Sequence, residues 1–198
     1  MHKKIILSII TIVIVIILLF LFLENYKNKN SIPLAIQIPT NFTANATSPS
    51  DSVSVMSPNG KTSLTMKTIT NKNSIIYSFN TDSLVYTKTT TTSDNFSIPF
   101  NTWSPDNKYI FLKETDGQIY SFLALNSSGV PFKDGSQFIN VSDVFKEKIK
   151  DYILKDVTGW AAPTLLILNT NKADGSEGPS FWFDIPSQTF TLLSTRFN

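Results

Sequence analysis

The hydrophobic pattern divides the chain into two unlike parts. Ile5 to Leu23 form a 19-residue run that is apolar except for Ser8 and Thr11. As a helix rising 1.5 Å per residue it matches the roughly 30 Å hydrocarbon core of a bilayer. Met1-His2-Lys3-Lys4 precede it, the layout of a signal sequence, but the run is longer than a usual signal-peptide core. No small-x-small cleavage site follows, and the chain leaves through Leu23-Glu24-Asn25-Tyr26-Lys27. An uncleaved signal-anchor transmembrane helix is therefore predicted within residues 1–23, with residues 5–23 in contact with membrane lipid. Residues 24–52 are polar and broken by Pro33, Pro39 and Pro49, which predicts a spacer. Its apolar piece, Ile32 to Pro39, has proline at both ends, which limits it to an edge strand.

From residue 53 to 198 the period becomes that of strands. Short runs rich in Val, Ile, Phe, Tyr and Thr alternate with Asn, Asp, Gly and Pro turns. A similar unit recurs three times. The first copy runs from Val53 through Ser57-Pro58-Asn59-Gly60-Lys61 to Lys88. The second opens on Thr102-Trp103-Ser104-Pro105-Asp106-Asn107-Lys108 and continues through Gln118 to Leu125. The third carries Gly159-Trp160-Ala161-Ala162-Pro163, then Thr164 to Leu168 and Ser180 to Leu193. The two Ser-Pro turns lie 47 residues apart and the two tryptophans 57 apart. Between the second and third copies lies an insert, Phe132 to Asp156. Within it Ser142 to Leu154 reads as a helix with Ser142 as N-cap and with Val144, Phe145, Ile149 and Tyr152 facing the sheets. Such a helix would cover a sheet edge otherwise open to aggregation.

Trp103-Ser-Pro-Asp-Asn-Lys-Tyr-Ile-Phe, with Gln118-Ile-Tyr-Ser-Phe behind it, resembles a blade of the TolB-like β-propellers, whose repeats are related to WD repeats. Val55-Met-Ser-Pro-Asn-Gly-Lys is a second, weaker match. The resemblance covers about residues 53–198. It implies an all-β fold, a partial β-propeller-like stack of antiparallel sheets, with one N-terminal transmembrane helix and the short inserted helix added. Closed propellers take about four to eight blades, whereas three copies are countable here, so the stack has open ends or a partner completes it.

Charge changes the picture only at the anchor. There are 17 Lys plus Arg against 15 Asp plus Glu, and Lys3 with Lys4 accounts for the whole net +2. These two lysines favour a cytoplasmic N-terminus and an extracytoplasmic domain. The domain is formally neutral, which argues against nucleic acid. The mean hydropathy of +0.01 averages an apolar anchor with a polar domain. The five Asn-x-Ser/Thr sequons, at Asn41, Asn45, Asn95, Asn126 and Asn140, are what this Asn/Ser/Thr content produces by chance.

The composition removes most chemistry. The only His is His2, ahead of the anchor; there is no Cys, and Arg196 is the only Arg. A Ser-His-Asp triad, a Cys-His dyad and thiolate or imidazole metal sites fall with them. Phosphate-cradling Gly motifs and the Gly-x-Ser-x-Gly of a fused hydrolase are missing too. Asp106, Asp116, Asp174 and Asp184 remain as carboxylates for glycoside chemistry, each in a turn or at a strand end where a structural role suffices. Asn169 to Glu177 is oxygen-rich but misses the calcium-loop register by one residue, with Ser180 where the twelfth-position Glu belongs. Trp103, Trp160, Phe181, Trp182 and Phe183 fit blade core better than a glycan groove, and Thr89 to Thr92 reads as a polar loop.

No catalytic, cofactor-binding or metal-ligating residues are assigned, and no cofactor is expected. The expectation is a membrane-anchored extracytoplasmic binding or scaffolding module of the cell envelope, with an envelope protein as partner. The rivals are a carboxylate-based envelope hydrolase and a subunit whose propeller a partner completes.

Overall fold

A computed structural model describes residues 51–90 and 94–197. The expected anchor, and all of the expected linker except Asp51 and Ser52, lie outside the described residues. Among the described residues, no helix is long and apolar enough to cross a membrane.

Among the described residues twelve strands form three four-stranded antiparallel sheets, each built from consecutive strands. The first sheet holds β1 (Asp51–Met56), β2 (Ser63–Asn71), β3 (Ser74–Asn80) and β4 (Leu84–Thr90). The second holds β5 (Asn95–Ser97), β6 (Tyr109–Asp116), β7 (Ile119–Asn126) and β8 (Ile139–Asn140). The third holds β9 (Ile153–Ala162), β10 (Leu165–Asn171), β11 (Glu177–Asp184) and β12 (Thr189–Leu192). Each is an up-and-down meander whose neighbours in sequence are neighbours in the sheet.

The side-chain period of two decides where the core sits. In the first sheet Leu64, Met66, Tyr77 and Phe79 point inward, while their alternates Thr65, Lys67, Ser78 and Asn80 occupy the opposite face. The second sheet is apolar on both faces. Ile110, Leu112, Leu123 and Leu125 join the first sheet's core, and Phe111, Phe122 and Ala124 join a second core with Val157, Leu166, Leu168, Phe181 and Phe183 of the third. The sheets thus stack with the second in the middle. That explains why the runs 110–112 and 122–125 are apolar without alternation.

The helix α1 (Val141–Lys148) follows β8. It is shorter than the expected Ser142–Leu154, and its N-cap is Asn140. The Asn140 carboxamide accepts from the backbone N–H groups of Ser142 and Asp143, at 3.1 and 3.2 Å. The Ser142 hydroxyl instead accepts from the Phe122 N–H, 3.0 Å away on β7. Since β8 pairs only with Leu123 and Ala124, that bond closes β7's edge beyond β8, so the helix does cover an edge. Phe145 is buried, and Val144, Ile149 and Tyr152 pack against the same core, as expected. The helix stops because Ile149 turns extended, and Ile153 is already paired with Asn171. Strand pairing outcompetes a helical pattern at Tyr152-Ile-Leu154.

Two other boundaries move. The first sheet begins at Asp51, opposite Thr68, rather than at Val53. The second sheet opens on Asn95–Ser97, and Trp103 pairs with its strands only as an isolated bridge to Ile110, with Pro99 in the run between them.

Candidate functional site: a groove beside the Ser-Pro turns

The two Ser-Pro turns are superimposable as hydrogen-bond networks. Ser57 Oγ donates to Asn59 Oδ1 (2.8 Å), which also accepts from Lys61 N, while Thr62 N donates to Ser57 Oγ. In the second copy Ser104 Oγ donates to Asp106 Oδ1 (2.9 Å), Lys108 N donates to the same oxygen, and Tyr109 N donates to Ser104 Oγ. The turns also touch each other, Asn59 N donating to Asn107 Oδ1.

Just ahead of these turns the tryptophans tie the sheets together. Trp103 Nε1 donates to the carbonyl of Val55 at 3.1 Å, and Trp160 Nε1 to that of Thr102 at 3.2 Å. Val55 and Thr102 each stand two residues before the turn serine of their own copy, so one bond is made twice between equivalent positions. Asn101 Nδ2 adds a bond to the Thr158 carbonyl. Gly159, at φ +146°, passes so close that a Cβ there would sit 3.1 Å from that of Asn101.

These segments wall a groove of about 580 Å³, lined by Pro58, Trp103, Pro105, Gly159, Trp160 and Ile167, with Phe197 at its margin. A second hollow, of about 640 Å³, lies between α1 and the β6–β7 hairpin and includes the exposed Ile119 and Ile153. The tryptophans thus serve both readings: Trp103 is buried core, and both indole edges border the groove.

The four candidate carboxylates are not brought into one site by shared partners. Asp106 belongs to the Ser-Pro turn. Partial burial opposes its ionisation, but bonds from the Ser104 hydroxyl, the Lys108 ammonium and the Lys108 amide outweigh it and hold the pKa below the usual value. Asp184 is likewise held low: burial opposes its charge, and the hydroxyls of Ser187 and Thr164 and the Ser187 amide outweigh it. Asp174 accepts from the Ser176 hydroxyl and amide, which lower its pKa in the same direction. Asp116 ends β6. Three of the four are therefore anchored as ionised acceptors, the opposite of a general acid's requirement. Among the described residues there is no group of three or more His, Cys, Asp or Glu placed to hold a metal ion. The oxygen-rich loop is a tight turn instead, Asp174-Gly175-Ser176, matched bond for bond by Asp134-Gly135-Ser136.

Sequence reasoning missed two arrangements. Lys88 of β4 pairs with Glu114 of β6 across the first core, above the Phe96 ring. Burial opposes the Lys88 charge, but the hydrogen bond and charge of Glu114 outweigh it and raise its pKa. The other is the segment after β12, where Arg196 and Phe197 are tied to buried polar groups of the third sheet. Its one advance signal is an Asn-Thr pair ending the apolar Leu165-Leu-Ile-Leu168 run. Compared with protein-family models, curated proteins and solved structures, the chain matches none.

Proposed function

We propose that the chain is a membrane-tethered, extracytoplasmic β-propeller-like module that binds another protein of the cell envelope and catalyses no reaction itself. The observation that carries this reading is the groove between the Ser-Pro turns and the third sheet, a recess walled by repeated Trp and Pro positions. Three meanders joined by the same indole-to-carbonyl bond support the blade resemblance. A module of packed sheets offers rigid walls and strand edges for docking. The carboxylates committed to turns favour binding over hydrolysis. The outer face of the first sheet, where Ser54, Thr65, Lys67, Ser78 and Thr87 outnumber the apolar Met56, Ile69 and Ile76, favours an open stack over one completed by another sheet. The apolar run Ile5 to Leu23 supports the tether, and Lys3 with Lys4 the orientation.

The absence of cysteine makes the test direct. Lys67→Cys on the outer face should react with a membrane-impermeant maleimide in intact cells. Asn101→Cys beside the groove should give a discrete crosslinked adduct that Lys67→Cys does not. Labelling only after lysis would overturn the orientation, and no adduct from any groove position would overturn the binding reading.

A further inference from the structure

We propose that the outer face of the third sheet, beneath the strap 193–197, is a docking site for a partner's peptide segment that presents an arginine followed by a residue with both backbone groups free, the place now held by the chain's own Arg196 and Phe197. The proposal deepens the binding reading above and rests on it.

The receiving side is polar where a sheet interior is normally apolar. Asn169 and Ser180 are cross-strand partners, 5% and 0% exposed. Groups so buried cost free energy unless they are bonded. Ser180 Oγ donates to Asn169 Oδ1 at 2.5 Å and accepts from the Phe197 N–H at 2.9 Å, while Asn169 Nδ2 donates to the Phe197 carbonyl at 2.7 Å. Together they read both backbone groups of one residue, as a neighbouring strand would, and place no demand on its side chain. One residue earlier, an Arg196 terminal nitrogen donates to the carbonyls of Thr170 and Gly178, at 2.8 and 3.2 Å, where the β10–β11 register shifts. A planar guanidinium suits two carbonyls held at fixed angles better than an ammonium does.

The present occupant fits incompletely. Arg196 Nε is buried without a hydrogen-bond partner, and the Glu177 carboxylate stands 3.7 Å away. Trp182, on the same face, keeps its indole N–H buried and unpaired. Ser194 and Thr195 are exposed, and Phe197 is 43% exposed at the margin of the groove. The strap is thus held by contacts that any segment with arginine, followed by a residue whose backbone N–H and carbonyl are free, supplies.

The test uses a labelled Ser-Thr-Arg-Phe-Asn peptide and fluorescence anisotropy on the detergent-solubilised chain. A chain ending after Leu193 should bind the peptide saturably, and the intact chain should bind it more weakly because its own strap competes. Replacing the peptide's arginine by alanine should weaken binding about tenfold or more, the scale of lost charged hydrogen bonds. A folded shortened chain that ignores the peptide, or equal binding of the Arg and Ala peptides, would overturn the proposal. Should shortening unfold the domain, Arg196→Ala in the intact chain replaces it and must increase peptide binding. Unfolding of that variant as well would also overturn the proposal, because the strap would then be part of the core. Failure here with a groove adduct still forming would remove this site and leave the binding reading standing.

Discussion

At the scale of single residues, two indoles do the joining. Trp103 fills space between the first two sheets and removes a carbonyl from the list of unpaired edge groups. Its two roles separate by substitution. Trp103→Phe keeps most of the bulk and loses the donor to Val55, which should cost about 1–2 kcal/mol; Trp103→Ala also opens a cavity and should cost about 3–5 kcal/mol. Urea denaturation of the two variants gives the comparison. The turn carboxylates set the pH dependence. Asp106 and Asp184 have folded-state pKa values below their unfolded ones, so their stabilisation is present above the unfolded value near 4 and is lost as pH falls through the folded value. Stability should therefore decline on acidification below about pH 4, and an Asp106→Asn, Asp184→Asn double variant should show a shallower decline in the same denaturation series.

At the scale of elements, what was legible in the sequence is what is locally determined. The Ser57 and Ser104 turns were visible because each closes its hydrogen bonds within six residues, and strand alternation is plain over 63–67 and 77–80 of the first sheet. The helix end was not visible, since Tyr152 to Leu154 suit either structure and only the distant β10 decides. The cap illustrates the same limit: Asn140 and Ser142 are both good caps by type, and only the neighbouring Phe122 N–H assigns their roles. Asn140→Ala should therefore destabilise by about 1 kcal/mol. Ser142→Ala should leave the helix in place and speed hydrogen exchange at the Phe122 amide; unchanged exchange there would refute the edge-closing role. The strap escaped detection because its partners lie 17 to 28 residues away, and no periodicity marks a segment held by its backbone.

At the scale of the whole domain, the outer sheets are not equivalent to the middle one. The first sheet turns a hydroxyl-rich face away from its core, and the third carries the strap, so the described residues leave neither outer face as a broad apolar surface. The domain of residues 51–197 should accordingly sediment as a monomer without open-ended stacking; a concentration-dependent series of larger species would count against this assignment of faces.

The middle sheet's two apolar faces have a consequence for the order in which the molecule is made and undone. No sheet borrows a strand from another, so as the chain emerges during synthesis the first meander can close by itself. The second has one face covered at once, while the other has only α1 and the residues around it until those beyond 153 arrive. For that interval Phe111, Phe122 and Ala124 lack their partners from the third sheet, and a chain cut short before β9 should be the species most in need of a chaperone. In the finished domain the relation reverses. β6 and β7, covered on both sides, should be the last strands to surrender their amide protons, after either outer sheet has opened.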